Sequence, residues 1–193
     1  MGGIASRSEL RMSFLRYALV TVPAVMLLGS LSGWLSNSGY SNSWFLALQK
    51  PGYMPPGWVF GVAWTILYIL LGLSLAMVLH AKGAPKRSRA LALFAVQLAL
   101  NFAWSPVFFA WHRADIALSI IAAMLVGTFA LILVVWRIRV VAGLLLYPYL
   151  GWLMFAALLN YEIVNLNPNA ATLEPGPRPI NIQLNAADLG NLT

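Results

Sequence analysis

Three uncharged amides, Gln97, Asn101 and Asn160, stand inside long apolar runs of this 193-residue chain. An amide in hydrocarbon needs a hydrogen-bond partner, so it turns toward the interior of a bundle. At the helical repeat of about 100° per residue, Gln97, Asn101, Trp104 and Phe108 share one face. Tyr149, Trp152, Ala156 and Asn160 share another, and Phe60, Trp64 and Tyr68 a third. If the three stripes converge, they line an apolar pocket with a few polar anchors, the usual form of a small-molecule site. Flat aromatic walls suit a large, flat, hydrophobic ligand by stacking. The same stripes also serve as plain helix packing, and aromatics at helical spacing more often pack than line a pocket.

Other chemistries fare worse. The chain has no Cys, which excludes thiolate nucleophiles, disulfides and Cys-zinc sites. His80 and His112 are too few for an all-imidazole metal site. Between Tyr17 and Tyr161 the one carboxylate is Asp115, so a paired-carboxylate mechanism lacks its second member. Ser105, His112 and Asp115 invite a triad reading, but nearness in sequence is no evidence for one. Both histidines fall at the ends of apolar runs, where an interfacial His is ordinary and an axial haem ligand is not expected.

The elements that position these residues are membrane spans. Hydrophobic residues make up 61% of the chain, charged residues 9%, and mean hydropathy is +0.78. Apolar runs near 17–35, 57–80, 90–111, 116–136 and 141–164 are long enough to cross a bilayer. The expected fold is therefore an all-α membrane protein, a bundle of five transmembrane helices. A polar, basic segment, 1–16, precedes it. A basic segment before an apolar run also fits a signal peptide, but the run is long enough to span and lacks an Ala-x-Ala cleavage pattern. Residues 36–56 form a long connection whose aromatics and prolines predict an ordered lid with a short helix near Trp44. Residues 167–193 read as a flexible polar tail. Short connections at 112–115 and 137–139 make neighbouring helices antiparallel.

The net charge of +7 would suggest nucleic acid in a soluble protein. Here the cations sit between apolar runs. The N-terminal segment and the 82–89 and 137–139 loops hold nine Lys and Arg, and the opposite side holds three. The positive-inside rule then puts the N-terminus in the cytoplasm and favours a bacterial membrane over a mitochondrial outer one. Membrane lipid is the expected surrounding partner, and nucleic acid is not one. Ala95, Ala99 and Ala103 repeat at a spacing that permits close helix approach, within the chain or to a second copy.

Three segments carry a resemblance: LQKPGYMPPGWVFGVAWTILY at 48–68, QLALNFAWSPVFF at 97–109 and YPYLGWLMFAALLNYEI at 147–163. In order and spacing they resemble the TspO/translocator protein family (tryptophan-rich sensory protein, peripheral benzodiazepine receptor-like). The resemblance covers about residues 17–166. It implies a five-helix membrane receptor, a homodimer, that binds tetrapyrroles such as protoporphyrin and haem, sterols, and isoquinoline or benzodiazepine ligands. It implies a role in their transport or in stress regulation. No resident cofactor is implied; porphyrin or haem is the ligand. Position by position it maps the family's pocket onto Trp64, Tyr68, Asn101, Trp104, Trp152 and Ala156. With the stripes above and with Tyr53 and Trp58 of the first motif, the candidate ligand-binding set is Tyr53, Trp58, Phe60, Trp64, Tyr68, Gln97, Asn101, Trp104, Phe108, Tyr149, Trp152, Ala156 and Asn160.

Two departures from the family bear on activity. Tyr53 stands where the family commonly has a Trp tied to porphyrin breakdown. The sterol pattern begins with Leu159 and Tyr161 but lacks the cation that completes it. Non-covalent capture is thus the leading expectation, with Lys50 a possible partner for a propionate. A porphyrin-degrading enzyme and a transporter of hydrophobic molecules are the rivals.

Overall fold

The computed structural model describes residues 7–173. Helix α1 runs Arg7–Leu35, α2 Ser43–Ala47, α3 Gly57–His80, α4 Arg87–Ser105, α5 Ala114–Trp136, α6 Val140–Leu144 and α7 Tyr147–Leu166. No strand occurs among the described residues. Five stretches are long and apolar enough to cross a membrane: Met12–Leu35, Gly57–His80, Arg87–Ala110, Ala114–Trp136 and Val140–Leu166. The expected five-span, all-α bundle is what the chain forms. Its outer faces are apolar: Leu19 is 74% exposed and Val126 73%. Such surface is a liability in water and ordinary against acyl chains.

Several boundaries differ from the expectation for physical reasons. Helix α1 starts at Arg7, well before the apolar run, because the polar residues there include no breaker and a helix need not end where the membrane does. The fifth span is broken at Leu145–Leu146 into α6 and α7. Pro148 has no N–H to donate back to Leu144, so the helix restarts with Pro in its first turn. In the third span Pro106 opens a π-helical turn, Pro106–Ala110. Its Trp111 N–H reaches back to Pro106 O at 2.9 Å. The extra residue turns Val107, Phe108 and Phe109 all inward.

Helices α1 and α3 pack most closely low in the bundle. A Cβ on Gly72 would meet the Val22 Cα at 2.7 Å, so only Gly allows this approach. The Thr21 hydroxyl donates to Gly72 O at 2.8 Å, which satisfies its polar group across the seam. Ser74 does the same to Ala142 O at 2.8 Å. The Arg87 guanidinium reaches the C-terminal carbonyls Val78 O and Leu79 O of α3 at 3.2 and 3.0 Å, where cations suit the helix end. The Ala95, Ala99 and Ala103 ridge is exposed on the outside of α4. Among the described residues no other helix covers it.

The lid 36–56 is ordered. Trp44 is 1% exposed, and Phe45 and Leu48 are also buried. They form a second apolar cluster with Val107, Phe108, Phe109 and Ile163 at one end of the bundle. Helix α2 is capped by Asn42, whose Oδ1 accepts from Phe45 N at 3.0 Å. The start of the expected flexible tail is not free. Residues Asn167–Leu173 fold back against the lid through a 3₁₀ turn, Ala170–Thr172, with Ala170 buried. Apolar contact and backbone hydrogen bonds hold this polar sequence in place. The rest of that tail lies outside the described residues.

Candidate ligand-binding site

The three stripes converge. Between α1, α3, α4, α5, α7 and the lid lies a cavity of about 570 Å³. That is within the range of about 300–1,000 Å³ found for ligand pockets. Of the candidate residues, Phe60, Trp64, Tyr68, Trp104, Phe108, Trp152, Ala156 and Asn160 line it. Their rings interlock at right angles and in stacks. Trp152 meets Phe60 edge-on at 5.8 Å and Trp64 at 6.5 Å. Trp104 stacks on Phe108 at 4.9 Å. Among the described residues no Lys, Arg, Asp, Glu or His contributes to the lining.

Five candidates lie elsewhere. Gln97, Asn101 and Tyr149 are buried beside the cavity and bond one another. Tyr149 Oη accepts from Gln97 Nε2 at 3.0 Å and from Asn101 Nδ2 at 2.9 Å, and donates to Met124 Sδ at 3.6 Å. Asn101 Oδ1 takes the Tyr68 hydroxyl at 3.1 Å. These groups form a floor under the cavity, because each amide met another buried polar group first. Trp58 is 70% exposed on the outer face of α3. It is two residues before Phe60, about 200° round the helix. Tyr53 is 48% exposed in the lid, outside the lining. Lys50 is occupied within the lid. Its Nζ donates to Leu46 O at 3.2 Å and Leu48 O at 3.0 Å and lies 4.8 Å over the Phe45 ring. Burial there lowers its pKa.

The wall from α1 carried no aromatic or amide signal. Met26, Gly29, Ser30 and Gly33 supply it. The signal that marks them is a small-residue face. A Cβ on Gly29 would meet the Tyr68 ring at 2.3 Å, so Tyr68 lies flat against the α1 backbone. From the lid, Tyr40, Phe45 and Met54 join the lining.

Three lining residues hold a buried polar atom with no partner among the described residues: Ser38 Oγ, Trp104 Nε1 and Asn160 Oδ1. Asn160 Nδ2 donates to Ala114 O at 2.8 Å, which fixes the amide so that its oxygen is the free end. Asn101 and Asn160 therefore do not satisfy each other. The aromatic box therefore holds an indole donor and an amide acceptor, and the Ser38 hydroxyl adds a group that can do either. An unmade hydrogen bond in a buried place is costly, so a ligand able to complete the indole and amide bonds gains twice.

Residues 20–166 match the model of the TspO/MBR family. The protein CrtK of Rhodobacter capsulatus is 34% identical over 72% of this chain and 84% of its own length. The tryptophan-rich protein TspO of Archaeoglobus fulgidus is 36% identical over 77% and 95%. The translocator protein of Sus scrofa is 39% identical over 72% and 87%. With its five spans and its matching core, this chain is a multi-pass integral membrane protein that belongs to the TspO/MBR family.

Proposed function

We propose that this protein is a membrane receptor that captures tetrapyrroles, protoporphyrin first, by non-covalent binding in the aromatic cavity. The observation that carries the reading is the convergence of three aromatic stripes on one cavity with an unpartnered indole N–H and amide oxygen in its lining. Trp64, Trp152 and Tyr68 supply faces for a flat macrocycle. Neither histidine lines the cavity, so a haem iron finds no imidazole there. The metal-free ring fits at least as well. The absence of charged residues from the lining also means that the ring's carboxylates stay at the mouth. Protoporphyrin and its dimethyl ester are then expected to bind within about three-fold of each other.

The deciding experiment titrates purified protein with protoporphyrin in darkness and then in light. A reversible shift of the Soret band is the expected result. No shift in darkness refutes the receptor reading. Loss of the band in light faster than for free protoporphyrin under the same light makes the protein an enzyme instead, with Trp152 the nearest candidate for a redox-active aromatic. As part of the same reading, the exposed Ala95, Ala99 and Ala103 ridge is the homodimer contact, and the membrane is a bacterial one with the N-terminus inside.

A further inference from the structure

We infer that Asn167, just past the end of α7, is a positioning residue that holds the lid over the cavity. Asn167 Oδ1 accepts from Gln49 N at 2.9 Å, and its Nδ2 donates to Gln49 O at 2.9 Å. The same Nδ2 also donates to Ile163 O at 2.8 Å, which anchors the carboxamide to α7. A side-chain amide is the group that can return both bonds to one residue's backbone; a carboxylate lacks the donor and an alkyl group lacks both. Since the clasp reads backbone, the side chain of residue 49 is irrelevant to it.

The segment after Asn167 completes the fastening. Trp44 Nε1 donates to Ala170 O at 2.8 Å, and Ala170 and Leu173 pack with Trp44, Phe45 and Leu48. The His112 ring stacks on Trp44 at 4.5 Å between centroids, 10° from parallel. Asn42 Nδ2 ties the start of α2 to Phe109 O at 3.3 Å. Gln49 lies in the chain between Phe45 and Met54, both of which line the cavity. A lid that swings away must therefore break the Asn167 pair. The clasp also begins where the family match, residues 20–166, ends.

The inference rests on the reading of the cavity as a ligand site, so its test has one arm that needs no ligand. The first arm is hydrogen–deuterium exchange of residues 43–54 in the full chain held in lipid nanodiscs. The second is stopped-flow binding of protoporphyrin. In Asn167→Ala, lid exchange rises roughly ten-fold, the scale of two net hydrogen bonds. Protoporphyrin on- and off-rates rise together while Kd moves less, and exchange in α3 and α5 stays as in the parent. Gln49→Ala keeps both clasp bonds and behaves as the parent in both arms. Trp44→Phe keeps the ring but loses the indole donor, and it also speeds lid exchange. Unchanged lid exchange in Asn167→Ala overturns the inference whatever the ligand does. Faster lid exchange with unchanged protoporphyrin rates also overturns it, because the lid is then no gate. If the parent binds no protoporphyrin, the functional reading fails, and the exchange arm alone decides whether Asn167 holds the lid.

Discussion

Trp152 is the residue on which the functional reading leans most. It is half-buried on α7, meets Phe60 and Trp64 edge-on, and lines the cavity beside Ala156. Trp152→Phe keeps an apolar ring and loses area. Stacking contributes about 0.5–1.5 kcal/mol beyond burial, so protoporphyrin affinity is expected to weaken roughly 3- to 10-fold. Trp136→Phe is the control, since Trp136 packs on Tyr147 and lines no part of the cavity. Equal binding by the two variants makes Trp152 a packing residue. His112 gives a second residue-level test. Its burial beneath the lid lowers its pKa from the ordinary value of 6.5. The closed state thus favours the neutral ring. The contribution to lid closure is complete above about pH 6.5 and is lost as pH falls through the lowered value. The nearby carboxylate, Asp115, does not compensate a charged ring, because it pairs with Arg113 at 2.6 Å. Lid protection, the intrinsic exchange rate at each pH divided by the observed one, is expected to fall as pH drops below about 6.5, and this slope should vanish in His112→Asn. A flat profile in the parent removes His112 from the closing mechanism.

At the scale of elements, the spans were readable because hydropathy over about 20 residues is a strong signal. The aromatic stripes were readable because periodicity fixes which side chains share a face. Periodicity does not fix depth. Gln97 and Asn101 lie on the same stripe as Trp104 and Phe108, yet the lower pair meets Tyr149 and the upper pair meets the cavity. It also says nothing of a wall made by absence, and Gly29 and Gly33 of α1 shape the cavity by having no side chain. The docking of Asn167–Leu173 leaves no mark in the sequence, because the segment is polar and proline-bearing and its partners are in a distant lid. The Ala ridge on α4 gives an element-level prediction. The chain has no native cysteine, so Ala99→Cys creates a single thiol. Mild oxidation in membranes should link two copies through it, whereas Val126→Cys, on the exposed face of α5, should link few. Equal yields from both positions remove the ridge as the dimer contact.

For the whole molecule, nine of twelve Lys and Arg fall on the side of the N-terminus and the 82–89 and 137–139 loops. A reporter inserted after Gly83, in a turn with open space around it, should be active in the cytoplasm and silent outside. The reverse result inverts the topology. The floor beneath the cavity then sets a direction. The tyrosine–amide bonds that join α4 to α3 and α7 stand between the cavity and a solid apolar core of Leu71, Phe94, Leu131, Val135 and Leu146. With this floor closing one end, entry and exit beside the lid are the expected route. Its lining carries no charge, so the voltage dependence of occupancy comes only from charge on the ligand itself. In sealed vesicles of known orientation, a membrane-impermeant porphyrin should saturate the protein from the lid side alone, and saturation from the opposite side removes the one-ended cavity.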